Sequence, residues 1–88
     1  MIEISKIDEE IFEVTVTKDS TTKHRVKLSS NIYKQFSNSK ISEIELIKRS
    51  FEFLLERESN QSILREFNLE TIEAYFPEYS VSIKNYCN

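Results

Sequence analysis

The chain has 88 residues, of which 39% are hydrophobic and 31% charged, and its formal net charge is −3 at pH 7. This balance fits one small folded domain over residues 1–88, and it excludes a disordered chain and a membrane-spanning chain. The chain contains no glycine. Because phosphate-cradling loops and the EF-hand turn need glycine, we exclude P-loop, dinucleotide-binding, EF-hand and KH-type sites.

Metal and cofactor binding are not expected, because His24 is the only histidine and Cys87 the only cysteine. Two such ligands cannot complete a structural zinc site, and one cysteine cannot form an intrachain disulfide. The first residues combine no basic start with a long apolar stretch, and no apolar run reaches the length of a membrane span. We therefore expect a cytoplasmic protein that does not enter a membrane.

Three strands are predicted in the first third of the chain, because apolar residues recur there at every second position. The inward positions are Ile2 and Ile4, then Phe12, Val14 and Val16, then His24, Val26 and Leu28. Polar turns at residues 8–10 and 19–22 separate the strands, which predicts an antiparallel meander. One register that keeps both inner sets on the same face places Glu13 opposite Lys27.

Two helices are predicted next. Ser29 or Ser30 can cap a short helix that ends at residues 37–39. The main helix is predicted over residues 43–58, because Ser42 and Glu45 have the spacing of a capping box. Its first apolar face should lie on the sheet, and it consists of Ile44, Ile47, Phe51, Leu54 and Leu55. Leu46 and Phe53 form a second strip, which the C-terminal helices should cover.

The C-terminal third is predicted to be helical. Residues 63–67 have short-helix spacing, and Asn68 can cap a helix that ends before Pro77. Residues 78–86 fit either a helix or a strand, and we favour a helix. A helix-turn-helix reading of residues 63–76 is rejected, because Glu70 and Glu73 would face the DNA phosphates. The predicted class is α+β: a three-stranded antiparallel sheet packed by one long central helix, with shorter C-terminal helices.

The chain resembles a group of small bacterial proteins over roughly residues 12–79. The similar segments are His24-x-Val26, Tyr33, the run 49–58 (RSFEFLLERE), Ile63-Leu64-x-x-Phe67 and the run 75–79 (YFPEY). The resemblance implies a strand-strand-helix order and a bacterial cytoplasmic protein. It implies no activity, ligand or catalytic residue. Members often have glycine before the main helix, where this chain has Asn38-Ser39-Lys40.

Catalytic residues are not predicted. His24 titrates near neutral pH but shares the inward face of its strand with Val26 and Leu28, which favours a packed histidine. The carboxylates of the main helix, such as Glu45 and Glu52, fall on its polar side, which favours a solvated surface.

Two surfaces remain as candidates. Lys23, Arg25 and Lys27 alternate on the third strand and form a basic stripe, which solubilises the sheet or contacts an anionic ligand. The candidate interface with a partner protein, or with a second copy of the chain, consists of Leu46, Phe53, Tyr75 and Tyr79. The strip of Leu46 and Phe53 takes part in it if the C-terminal helices leave Phe53 exposed. The leading hypothesis is therefore an accessory or protein-interaction module without catalytic activity. The alternative is a nucleic-acid-associated regulator that uses the basic stripe, although the stripe has no stacking aromatic residue among its cations.

Overall fold

The computed structural model describes residues 1–87 and contains, over that range, a four-stranded sheet and four α-helices. The strands are β1 (Ile2–Lys6), β2 (Ile11–Thr17), β3 (Thr21–Lys27) and β4 (Glu66–Asn68). The helices are α1 (Ser30–Ser37), α2 (Glu43–Leu55), α3 (Thr71–Tyr75) and α4 (Tyr79–Cys87), and a 3₁₀ turn spans Asn60–Ser62. The predicted α+β class is confirmed. None of the four helices is long and apolar enough to cross a membrane.

The sheet has the order β1-β2-β3-β4, and its fourth strand corrects the prediction of three antiparallel strands. β1, β2 and β3 form the predicted meander, whereas β4 pairs in parallel with β3. Phe67 lies opposite Val26. The ring centroid of Phe67 is 6.0 Å from that of Phe51 on α2. The segment is therefore extended because it pairs with the edge of β3 and packs a half-buried aromatic ring under α2.

The β2–β3 pairing keeps both apolar sets on the inner face, as predicted, but in another of the allowed registers. Glu13 lies opposite Arg25 instead of Lys27, and Val14 lies opposite His24. The two registers differ by two residues, so both preserve the inner face, and the short turn between Thr17 and Thr21 selects the observed one.

The predicted caps of α1 and α2 are confirmed. The Ser29 hydroxyl accepts a hydrogen bond from the Ile32 amide at 3.3 Å, and the Ser42 hydroxyl accepts one from the Glu45 amide at 3.1 Å. α1 ends at Ser37 and is followed by its C-cap residue Asn38, whose φ of 55° lies in the left-handed region. Asparagine adopts this conformation more readily than most residues, so it closes the helix in a chain without glycine.

α2 ends at Leu55, three residues before the predicted end at residue 58. The Leu54 carbonyl accepts hydrogen bonds from the amides of both Arg57 and Glu58, each at 2.9 Å. This shared acceptor tightens the last turn, and Ser59 then takes an extended conformation before the 3₁₀ turn. Glu58 therefore leaves the helix surface that the sequence assigns to it.

α2 packs against the sheet on one side and against C-terminal residues on the other. Its Phe51 ring lies 5.4 Å from the His24 ring on the sheet. Its Phe53 ring lies 5.3 Å from the ring of Tyr79 and 6.0 Å from the ring of Phe76. The second apolar strip of α2 is thus covered by the C-terminal part of the chain.

The remaining C-terminal predictions are partly wrong. Residues 63–67 are not helical, because Ile63 is extended and the chain then enters β4. Asn68 lies in β4 instead of capping a helix, and α3 starts only at Thr71. The helical alternative for residues 78–86 is confirmed, since α4 spans Tyr79–Cys87.

Candidate functional site

A pocket of about 140 Å³ opens between the C-terminal end of α2, β4 and α3. Most of its wall is apolar or aromatic and is formed by Leu54, Ile63, Leu64, Phe67, Ile72, Tyr75 and Phe76. Three polar side chains complete it: Glu58, Ser62 and Thr71. A cavity of about 150 Å³ lined by Leu, Ile and Phe can hold a benzene molecule. The pocket is therefore sized for one side chain or one small ligand.

The pocket exists because the end of α2, the 3₁₀ turn, β4 and α3 meet there. Ile63 has the extended angles φ −73° and ψ 136°, which turn the chain from the 3₁₀ segment towards β4. α3 closes after little more than one turn, with a hydrogen bond of 2.8 Å from the Phe76 amide to the Ile72 carbonyl. Pro77 cannot continue that helix. The aromatic residues at its end therefore stay beside β4.

Among the described residues 1–87, Glu58 is the only charged one that lines this pocket. Partial burial raises the pKa of its carboxyl group above the ordinary value. None of the ion pairs formed within residues 1–87 includes Glu58. Its neighbour Arg57 is engaged elsewhere: its guanidinium lies 3.6 Å from the Phe53 ring centroid and pairs with Glu78 at 3.2 Å. The Glu58 carboxylate is thus free to meet a ligand.

β4 is an edge strand with an unpaired side. The Leu69 amide, directly after the strand, donates to the Lys27 carbonyl of β3 at 3.0 Å. Backbone groups alternate in direction along a strand, so those of Phe67 also point to β3, and those of Glu66 and Asn68 point away. Glu66 and Asn68 are exposed. Among the described residues, their backbone N–H and C=O groups form no hydrogen bond. This side of β4 can accept another strand.

A second, shallower recess lies on the other side of β4, over the outer face of the sheet. Its volume is about 680 Å³, and it is lined by Ile7, Asp8, Ile11, Arg25, Lys27, Leu64, Glu66, Phe67, Asn68 and Thr71. Leu64, Phe67 and Thr71 line both the pocket and this outer recess. The two depressions therefore flank the same edge strand.

The basic stripe lies on the outer face of the sheet, which no helix covers. Lys23, Arg25 and Lys27 are all exposed, and none of them belongs to an ion pair among residues 1–87. Arg25 is flanked by Glu13 on β2 and by Glu66 on β4. The stripe is thus a row of solvated cations with carboxylates beside it.

His24 is a structural residue of the core and is only 1% exposed. Its Nδ1 atom lies 2.8 Å from the Leu64 carbonyl, and its Nε2 atom lies 2.8 Å from the Thr22 hydroxyl. A carbonyl only accepts, so Nδ1 carries the proton and Nε2 accepts from Thr22. Burial lowers the pKa of His24 and keeps the ring neutral. The histidine joins β3 to the segment before β4 and faces no open cleft.

The four predicted interface residues divide into two groups. Leu46 and Tyr79 are 0% exposed and Phe53 is 6% exposed, so these three form part of the core. The Tyr79 hydroxyl lies 2.6 Å from that of Ser50, which fixes the ring inside. Leu46, Phe53 and Tyr79 are buried because the C-terminal part of the chain packs over α2. These three residues can contact a partner only if the C-terminal part detaches from α2. Tyr75 is 65% exposed and stands at the pocket.

Glu58 and Leu64 line the pocket but are not among the functional residues predicted from the sequence. One signal for Glu58 was present: no lysine or arginine lies three or four positions from it, whereas Glu45 has Arg49 four positions on and pairs with it at 2.8 Å. The sequence contains no comparable signal for Leu64, because an apolar residue in a short segment is predicted to be buried in the core. Leu64 is 45% exposed.

Comparisons with protein-family models, with curated proteins and with solved structures found no match for this chain. The resemblance to small bacterial proteins therefore stays a prediction. Over residues 1–87, no group of three or more histidine, cysteine, aspartate or glutamate side chains is placed to hold a metal ion. The β4 edge, with the pocket on one side and the outer recess on the other, is accordingly the candidate functional site.

Proposed function

We propose that this chain is a protein-interaction module that binds an extended segment of a partner protein along the free side of β4. The observation that carries the proposal is the exposed edge at Glu66 and Asn68, which lies between the pocket and the outer recess. A segment added to a sheet edge gains backbone hydrogen bonds, while flanking pockets select its side chains. No catalytic step is part of this proposal.

The position of the two recesses suits an added strand. Successive side chains of a strand point to opposite faces of the sheet. One side chain of the partner would therefore enter the pocket under β4, and its neighbour would lie in the outer recess over Arg25 and Lys27. Asp8 and Glu66 also line that recess, so its two cations are balanced by two carboxylates. The outer recess suits a polar side chain of either charge.

A favourable binding free energy for the partner segment requires contacts in the pocket as well as at the edge of β4. One backbone hydrogen bond contributes about 0.5–1.5 kcal/mol net, and β4 has only three residues. Association itself costs at least about 4 kcal/mol. Burial of one large side chain in the pocket adds about 1.5–3 kcal/mol. At about 1 kcal/mol each, bonds to the four outward N–H and C=O groups of Glu66 and Asn68 only offset the cost of association, so burial in the pocket supplies the net affinity of a weak complex. This agrees with the way short edge strands resist unwanted pairing.

The test uses peptides selected for binding to the full chain from a display library of random 12-residue sequences. We expect selected peptides to shift the amide NMR signals of Glu66, Phe67 and Asn68 and of the pocket. Asn68→Pro removes the outward N–H without removing a bond to β3, because the Asn68 amide points away from that strand. It should weaken binding at least about tenfold, which corresponds to loss of one well-placed bond and a clash with the added strand.

Asn68→Ala is the matched control, since it removes the same side chain but keeps the N–H, and it should bind as the parent chain does. Circular dichroism spectra establish that both variants are folded. The proposal is overturned if no peptide is selected, if the shifts lie elsewhere on the surface, or if both variants bind equally well. It is also overturned if the edge is closed by a second copy, seen as dimerisation in sedimentation at micromolar concentration that Asn68→Pro abolishes.

A second candidate function, nucleic-acid association, is favoured by the exposure of Lys23, Arg25 and Lys27 on an uncovered face. The charge of that whole face argues against it. The register places Glu3 and Glu13 on the same face, and β4 adds Glu66, so three cations meet three carboxylates and the formal sum is zero. Nucleic-acid binding depends on a net excess of cations.

The two functions differ in their response to salt. Nucleic-acid association predicts binding to labelled single-stranded DNA or RNA at 20 mM salt that weakens steeply by 200 mM, and a loss of binding in Lys23→Glu with Lys27→Glu. The same double change at Lys34 and Lys48, two exposed lysines on the helices, is the matched control. If no binding to either nucleic acid is detected at 20 mM salt, nucleic-acid association is refuted.

A further inference from the structure

The pocket beneath β4 combines aromatic walls with one unpaired carboxylate. The rings come from Phe67, Tyr75 and Phe76, and the carboxylate comes from Glu58. Aromatic faces carry partial negative charge and attract cations. Both the walls and the single charged group therefore favour the same kind of ligand atom, a positively charged nitrogen.

The charges around Glu58 support the same conclusion. Arg57 and Glu78 pair with each other at 3.2 Å, and the Arg57 guanidinium also lies over the Phe53 ring, so this cation does not reach into the pocket. An apolar occupant would remove water from the Glu58 carboxylate and give it no partner, which costs free energy. A neutral donor would give it a hydrogen bond but no opposite charge, and an anion would be repelled. A cation fills the pocket, donates a hydrogen bond and neutralises the carboxylate.

The size of the pocket limits the cation to one small group. The volume of about 140 Å³ accommodates the end of one side chain. A lysine side chain has a four-carbon stem that suits apolar walls and an ammonium head with three hydrogen-bond donors. Ser62 and Thr71 also line the pocket, and their hydroxyl groups are of a type that can accept hydrogen bonds from the ammonium N–H groups that Glu58 does not bind.

We infer that the pocket binds an alkylammonium group, and that its source is a lysine side chain of the partner segment. The ammonium preference follows from the pocket alone. The lysine as its source rests on the proposed function, in which the partner strand directs one side chain under β4.

The experiment is an NMR titration of the full chain with three probes of matched shape: n-butylammonium, 1-butanol and pentanoate. We expect n-butylammonium to shift the amide signals of pocket residues and to bind roughly five- to tenfold more tightly than 1-butanol. Pentanoate should cause no shift in the pocket. Glu58→Gln should remove the preference for the ammonium over the alcohol. Glu56→Gln, which changes a carboxylate whose side chain is 74% exposed, is the matched control and should keep the preference.

The inference is overturned if 1-butanol binds as tightly as n-butylammonium, if Glu58→Gln keeps the preference, or if the shifts lie outside the pocket. The selected peptides separate this failure from failure of the proposed function. Peptides that bind at β4 without a lysine requirement and independently of Glu58 overturn only the ammonium inference. If n-butylammonium binds in the pocket but no peptide binds at β4, the ammonium site stands and the lysine source is refuted together with the proposed function.

Discussion

Protonation of His24 should destabilise this protein. The ring is buried and neutral, and burial lowers its pKa below the ordinary value near 6.5. Between pH 7.5 and 5.5 the unfolded chain is therefore protonated at this position to a greater extent than the folded chain. Stability is then fully present above pH 6.5 and is lost as the pH falls through the lowered pKa. The loss by pH 5.5 is at most about 1.4 kcal/mol, because one proton is involved.

His24→Asn separates this effect from the titration of other groups. The asparagine amide can still donate to the Leu64 carbonyl, but its shorter side chain places no acceptor where Nε2 meets Thr22, and it lacks the ring that packs on Phe51 at 5.4 Å. One hydrogen bond contributes about 0.5–1.5 kcal/mol and one aromatic contact a similar amount. We expect the free energy of unfolding to fall by about 1–3 kcal/mol at pH 7.5.

The assay is urea denaturation of both proteins at pH 7.5, 6.5 and 5.5, with the denaturant slope checked for constancy. The parent chain should lose stability between pH 7.5 and 5.5, and His24→Asn should lose less over the same interval. His24 is the only histidine, so the difference between the two proteins isolates it. An equal loss in both proteins, or no loss in the parent, would refute a buried neutral His24.

Three further changes test the core and the caps by the same assay. Tyr79→Phe removes the hydroxyl bonded to Ser50 and should cost about 0.5–1.5 kcal/mol, whereas Tyr86→Phe, on the surface, should cost less than about 0.5 kcal/mol. Ser42→Ala removes the cap of α2 and should cost about 0.5–2 kcal/mol, and an unchanged midpoint would contradict the cap. Asn60→Ala removes the buried amide that bonds to the β2–β3 hairpin and should cost about 1–3 kcal/mol, and a smaller loss would mean that water replaces the amide.

The candidate site was only partly predictable. Tyr75 was named from its residue type, and the exposure of Lys23, Arg25 and Lys27 followed from strand alternation. Phe53 and Tyr79 were also named as interface residues, but each fills the space beside the other in the core. Sequence spacing defines which residues share a face, but it does not define what covers that face.

The sequence alone determined the elements whose signals are local. Alternation over residues 2–28 defined β1, β2 and β3, and Ser29 and Ser42 marked where α1 and α2 begin. These signals depend on bonds and side-chain directions within a few residues, so they do not need the rest of the chain.

Tertiary structure alone decided β4 and therefore the site. The three residues Glu66–Asn68 carry too little local preference to choose between helix and strand. Their extended form depends on hydrogen bonds to β3, which is about 40 positions away in the sequence, and on the fit of Phe67 beside Phe51. The β3–β4 pairing creates the whole site. The pocket and the outer recess lie on either side of the short strand β4, and the free edge is the side of β4 that does not pair with β3.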